Sequence, residues 1–242
     1  MEIGLIGGSV STSIYLPENA QTWPNLLAQQ QAFPVNLTMR QQGMLTISRA
    51  LPLASEFPAV DVLILSFATT LGWPVISKSV ANLLAPEFQS ETALHLAAFS
   101  SRSRKKRIQK RLRRAALNLL KFAAYPFGLY RPTNNLSDLD DQVRALVSIA
   151  FSKAQRVVWV QHQPMRDNRI WLERRMFDRY YQRLIQSLSA LSNPNFVLVE
   201  FPEEFLKQSN YCLDEVHLSQ AGHVELAAYL HDLNLFGAAK LE

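Results

Sequence analysis

Five short runs rich in apolar residues punctuate the chain, at positions 3–6, 35–40, 61–65, 157–160 and 196–199. Their length and their glycine, proline or polar boundaries predict buried strands. Between them the apolar residues recur at intervals of three and four. Pro17 followed by Trp23, Leu26, Leu27 and Gln31 predicts a first helix after a short loop, and residues 43–50 predict a second, closed by Pro52 and Pro58. A third is expected over 137–153, with Ser137 as its cap, Asp138, Asp140 and Asp141 favouring its N-terminal dipole and Lys153 in its last turn. A long amphipathic helix is expected over about 168–191, and the stretch from Arg166 to Arg183 mixes six arginines with Asp167, Glu173 and Asp178, the pattern of a salt-bridged face. Ser219 is placed to cap a final helix carrying Val224, Leu226, Ala227 and Leu230. Residues 72–132 show helical patterns and no convincing strand. Strand–helix alternation with right-handed crossovers implies an α/β three-layer sandwich around a parallel five-stranded sheet.

Two stretches carry candidate chemistry. The first strand runs straight into Gly7-Gly8-Ser9, and open α/β sheets place their ligands beyond the carboxyl ends of strands. Taken alone, Ser9 reads most simply as a capping serine on a glycine turn. At the far end, Asp214-Glu-Val-His217 lies in the loop before the last helix. A serine nucleophile needs a base, and a histidine base needs a carboxylate to hold its tautomer. Asp214 and His217, three residues apart in one loop, can serve a single hydroxyl.

Together these residues resemble the SGNH or GDSL-like hydrolases, which place a nucleophilic serine in Gly-Asp-Ser after the first strand and Asp-x-x-His before the C-terminal helix. The resemblance spans nearly the whole chain and implies the flavodoxin-like fold of that family, with Ser9, His217 and Asp214 as catalytic triad. Trp23 stands where family members often carry a tryptophan. The oxyanion hole it implies uses the amides of Ser9 and Gly43. Two departures stand out. Gly8 replaces the family's aspartate, which is outside the triad. The third block, normally Gly-x-Asn-Asp, reads Ser66-Phe-Ala-Thr69-Thr70-Leu-Gly here and lacks the asparagine donor. A Thr69 or Thr70 hydroxyl is the available substitute; otherwise activity is weak or lost, since one such donor is worth roughly a hundred- to a thousandfold in rate.

Length and cysteine usage bound the remaining choices. The chain's 242 residues suit one domain. Cys212, the single cysteine, excludes an internal disulfide and a cysteine-based zinc cluster. With a strand at the very start, no basic leader segment and no bilayer-length apolar run, the expected compartment is the cytoplasm, with peripheral contact to the inner membrane as a further expectation. No metal or organic cofactor is called for.

Charge is concentrated in the middle. Between Glu91 and Asp138 there is no acidic residue, whereas residues 102–131 hold eleven basic ones, among them Arg104, Lys105, Lys106, Arg107, Lys110, Arg111, Arg113 and Arg114. Setting those eleven aside leaves 14 basic against 20 acidic residues, a net of −6, so the formal +5 comes from this segment alone. Ile108, Leu112, Ala115, Ala116, Leu119 and Ala123 give it helical periodicity, and aromatic and turn residues end it at 125–130. A helical basic insertion at about 74–132 is therefore expected, packed on its own domain with a solvated basic face, or docked on an anionic membrane or an acidic polysaccharide. Nucleic acid is disfavoured because the aromatics follow the basic run instead of interleaving with it.

His162 and Gln161, at the end of the fourth strand, are candidates for substrate contact, weighed against a structural role; His223 reads as structural. The expected activity is acyl-ester hydrolysis through an acyl-enzyme, on a small-molecule, lipid or acylated surface-glycan ester. An O-acyltransferase, or a non-catalytic protein that binds an anionic glycan or membrane, are the rival readings.

Overall fold

The computed structural model describes residues 1–13, 16–17, 20–43, 45–67, 74–76, 118–119, 121–127, 129–132, 136–162, 171–201, 205, 207–212 and 217–236. They divide into two compact units, one of residues 1–71, 134–165 and 182–242, the other of residues 72–133 and 166–181. The second unit thus takes in a stretch from beyond the expected insertion.

The first unit is built on five parallel strands: β1 (Glu2–Gly7), β2 (Asn36–Gln41), β3 (Val60–Phe67), β6 (Ala154–Gln161) and β7 (Phe196–Glu200), in the order β2-β1-β3-β6-β7. This is the α/β parallel sheet expected from the alternating pattern. Helices α1 (Trp23–Gln29) and α5 (Gln220–Asp232) pack together, as do α2 (Ile47–Ser55) and α3 (Leu139–Phe151). Strand parity assigns the faces. Ile3, Leu5, Val62, Ile64, Val158 and Val160 join Trp23 and Leu27 of α1 and Leu226, Ala227 and Leu230 of α5 in one buried cluster. Intervening positions point to the other side, where Phe67 stacks on Trp159 with ring centres 4.5 Å apart. Gly4 also faces that way, and a Cβ there would lie 2.5 Å from the Phe57 ring. Helix α4 (Trp171–Ser189) runs through both units; in the first, its Arg183 and Ser187 both bond Asp140 of α3.

Three local expectations are corrected. The second helix starts later than expected, at a Thr46 cap whose hydroxyl accepts from Arg49 N at 3.2 Å, and it continues through Pro52. Burial of Ile47, Ala50 and Ala54 holds the turn that the proline deprives of one hydrogen bond. Ser137 is not a cap: Asp138 occupies that position without a capping bond, and the Ser137 hydroxyl donates to the Asp138 carboxylate. The second unit contains strands where none was expected, β4 (Pro74–Ile76) paired antiparallel with β5 (Tyr130–Pro132). Three-residue strands flanked by proline are too short to show alternation. Ala124, Tyr130, Leu172 and Met176 form a small buried cluster in this unit.

Candidate active site

Ser9 sits on a tightly bonded turn. At Gly7 the chain folds back so closely that a Cβ would approach the Ser11 hydroxyl to 2.7 Å. Residues Ser9–Ser11 form one 3₁₀ turn, closed by Ser11 N to Gly8 O at 3.0 Å and Thr12 N to Ser9 O at 3.2 Å. The Thr12 hydroxyl donates to the same Ser9 carbonyl at 2.7 Å. Two neighbours clamp the turn from either side: Gly8 N donates to Ser66 O of β3, and Ser9 N donates to Gly43 O after β2, each at 3.2 Å. The Ser9 amide, expected as an oxyanion donor, therefore already has an internal acceptor. Ser9 is largely buried, and its hydroxyl makes no hydrogen bond among the described residues.

Behind this turn lies a buried polar chain that sequence reasoning did not assemble. The Ser11 hydroxyl donates to Ser66 Oγ at 3.1 Å, and Ser66 Oγ lies 3.2 Å from His162 Nε2; all three residues are fully buried. The Ser66 hydroxyl donates to Nε2 or accepts from Nε2–H according to the tautomer of the neutral His162 ring. Nδ1 has no partner among the described residues, and Phe201 meets the ring edge-on at 4.6 Å. Burial first, and the nearby His223 second, push the His162 pKa down to about 3. The signal available in sequence was Ser66 itself, a polar residue within an apolar strand run.

Helix α5 carries the other half of the site. Ser219 caps it as expected, accepting from Gly222 N at 3.1 Å, and its own N–H donates to Asn210 O at 3.1 Å. Gly222 packs against that same loop; a Cβ would sit 2.1 Å from Asn210 O. His217, buried just ahead of the cap, has its carbonyl bonded by Cys212 N at 2.7 Å, beside the Tyr211–Leu218 bridge. One turn into the helix, His223 Nδ1 accepts from Trp23 N at 3.0 Å, while its Nε2 has no partner among the described residues. Burial lowers its pKa to about 4, against a smaller upward pull from the Thr12 backbone. Gln220 also reaches Gln21 O at 3.3 Å. The helix that follows His217 is thus sewn to the segment that follows Ser9.

Solved structures supply a comparison for this architecture. A lipase from a goat rumen metagenome matches over 100% of both chains, with a TM-score of 0.54 and 12% identity. Axe2, an acetylxylan esterase from Geobacillus stearothermophilus, matches over 96% of this chain and 93% of its own, with a TM-score of 0.55 and 14% identity. A member of the lipolytic G-D-S-L family from Veillonella parvula matches over 99% of both, with a TM-score of 0.53 and 12% identity. The fold is that of the SGNH/GDSL-like hydrolases. No family model and no curated protein matches the sequence itself.

Within the SGNH-like frame, Gly8 accounts for one departure. Its φ of −86° is ordinary and a Cβ there would meet nothing nearer than Leu45 Cβ at 3.5 Å, so the turn does not require glycine where the family has aspartate. Gly43 lies exposed on its turn, with open space where a Cβ would be. Gln161 and His162 are both buried. The Gln161 amide donates to His162 O at 3.1 Å and accepts from Trp159 Nε1 at 3.2 Å, so both ends of its side chain have internal partners. Asp214, Thr69, Thr70 and the basic run Arg104, Lys105, Lys106, Arg107, Lys110, Arg111, Arg113 and Arg114 lie outside the described residues. Among the described residues no cluster of histidine, cysteine and carboxylate side chains could hold a metal, and no helix is long and apolar enough to cross a membrane.

Proposed function

We propose that the chain is a serine esterase of the SGNH type. The observation that carries this reading is a serine on a clamped turn at the carboxyl end of β1, in a fold whose solved examples include esterases and lipases, with an Asp-x-x-His loop ahead of the last helix. His217 takes the Ser9 proton, and Asp214 orients and stabilises the resulting imidazolium. Ser9 Oγ then attacks the ester carbonyl, the alcohol leaves with the proton from His217, and water repeats the cycle to release the acid. The Ser9 amide supports the developing oxyanion by exchanging Gly43 O for it, with Gly43 N–H and a Thr69 or Thr70 hydroxyl as further donors. That exchange favours the transition state: a neutral ester carbonyl competes poorly with the Gly43 carbonyl, whereas a negatively charged oxygen competes well. An acylated carbohydrate is the substrate class favoured, by analogy with the acetylxylan esterase.

The test is hydrolysis of p-nitrophenyl acetate and butyrate by the wild type and by Ser9→Ala. Turnover that disappears in Ser9→Ala is expected; equal rates in the two proteins would reject Ser9 as nucleophile. One observation favours a second, non-catalytic reading: the occupied Ser9 amide together with the missing third-block asparagine. Labelling with a fluorophosphonate separates the two, because an active serine is modified in the wild type and a silent one is not.

A further inference from the structure

The second unit shows an inverted surface. Six of the large apolar side chains exposed among the described residues belong to it: Leu119, Phe122, Tyr125, Phe127, Leu129 and Trp171. Leu119, Phe127 and Trp171 are 71%, 78% and 64% exposed, values far beyond those of a packed residue. The helical residues 118–119 and 121–124 explain how this arises. Their inward side is already satisfied, with Ala124 in the small core and Lys121 buried with its ammonium 5.7 Å from the Tyr130 ring centre. Leu119 and Phe122, three residues apart, therefore share the outward side, where polar residues would ordinarily stand. Single exposed apolar side chains are ordinary, but six concentrated in one small unit mark contact with something.

Charge indicates what that something is. Eleven basic residues and no acidic one occupy positions 102–131 of the sequence. Beside Trp171, Arg174, Arg175 and Arg179 are exposed, against Glu173 and Asp178 in the same stretch of sequence, and the Arg175 guanidinium lies 5.6 Å from the Trp171 ring centre. Exposed aromatic and aliphatic side chains in a unit whose sequence carries an excess of cations match the headgroup region of an anionic bilayer, where rings sit at the interface and basic groups meet acidic lipid heads. Leu119 and Leu129 decide against the alternatives. They have no ring face for a sugar or base to stack on and no polar atom for a hydroxyl or phosphate.

We infer that the second unit docks on an anionic lipid surface, inserting these apolar side chains while basic residues of the same unit face acidic headgroups. The full-length protein is mixed with vesicles of phosphatidylcholine alone or of phosphatidylcholine with phosphatidylglycerol, and co-sedimentation is measured at low and high salt. Binding is expected to the mixed vesicles only and to weaken with salt. The Leu119→Ser, Phe122→Ser, Phe127→Ser triple variant keeps every charge and changes only exposed positions, so its melting temperature should hold while vesicle affinity falls by about tenfold or more. Equal vesicle affinity in the variant overturns the inference. So does binding to polygalacturonate but not to vesicles, or vesicle-free self-association of the wild type that the variant abolishes. No outcome depends on Ser9, so failure here leaves the esterase reading intact.

Discussion

At the scale of single residues, the site's distinguishing feature is a pair of buried, neutral imidazoles behind the serine turn. Both have pKa values well below 6.5, His162 at about 3 and His223 at about 4. Between pH 6.5 and those values the unfolded chain binds protons that the folded one refuses. Stability is therefore fully present above pH 6.5 and is lost as pH falls, by about 1.4 kcal/mol per pH unit for each histidine. The urea midpoint should drop steeply from pH 7 to pH 5 in the wild type and less steeply in His162→Gln; matching slopes would count against this. Ser66→Ala strands two partners at once, the Ser11 hydroxyl and His162 Nε2. It should cost about 2 kcal/mol or more, a fall in Tm of about 4–8 °C by thermal melt. His223 read as structural because His217 already fills the Asp-x-x-His position, and its Nδ1 accepts from Trp23 N. The Ser11–Ser66–His162 chain was not legible, because it joins three strand ends that only the sheet brings together.

Among the secondary-structure elements, steric intolerance is concentrated where helices and strands approach most closely. Gly222→Ala gains helix propensity, yet its Cβ would collide with Asn210 O at 2.1 Å. The net effect should be a destabilisation of about 1–3 kcal/mol. It should also lower turnover in the proposed esterase reaction, since Asn210 O holds the cap that follows His217; a fall in Tm with kcat unchanged would show that the loop absorbs the strain elsewhere. Gly8→Asp, by contrast, should leave Tm within a degree or two, because the site offers ordinary contact distances. The central strands β1, β3 and β6 were readable from their buried apolar runs, whereas the edge strand β2 has no buried residue and β7 only one, so their runs mark half-buried edges. Helix boundaries were less so: Pro52 looked like a stop signal, and only the packing of Ala50 and Ala54 shows why the helix passes through it.

For the whole molecule, protection should follow the layering. Backbone amides of β1, β3 and β6, flanked on both sides, should exchange slowest with deuterium, those of the edge strands β2 and β7 faster. Residues 118–132, resting on a four-residue cluster, should exchange faster still. Uniform protection would contradict this. Sheet order has a further effect during synthesis. β1, β2 and β3 can pair as soon as residue 67 is made, but the other edge of β3 must wait for β6, since Val60 pairs with Ala154. At about 5–20 residues per second, translation of the intervening stretch takes on the order of ten seconds. Throughout that interval Val62, Leu63, Ile64 and Leu65 present an open, sticky strand edge on the nascent chain. The long excursion between β3 and β6 adds little to the free-energy cost of closing the sheet, because loop entropy grows only logarithmically. Its burden falls on the ribosome-bound intermediate, where a holding chaperone would matter most.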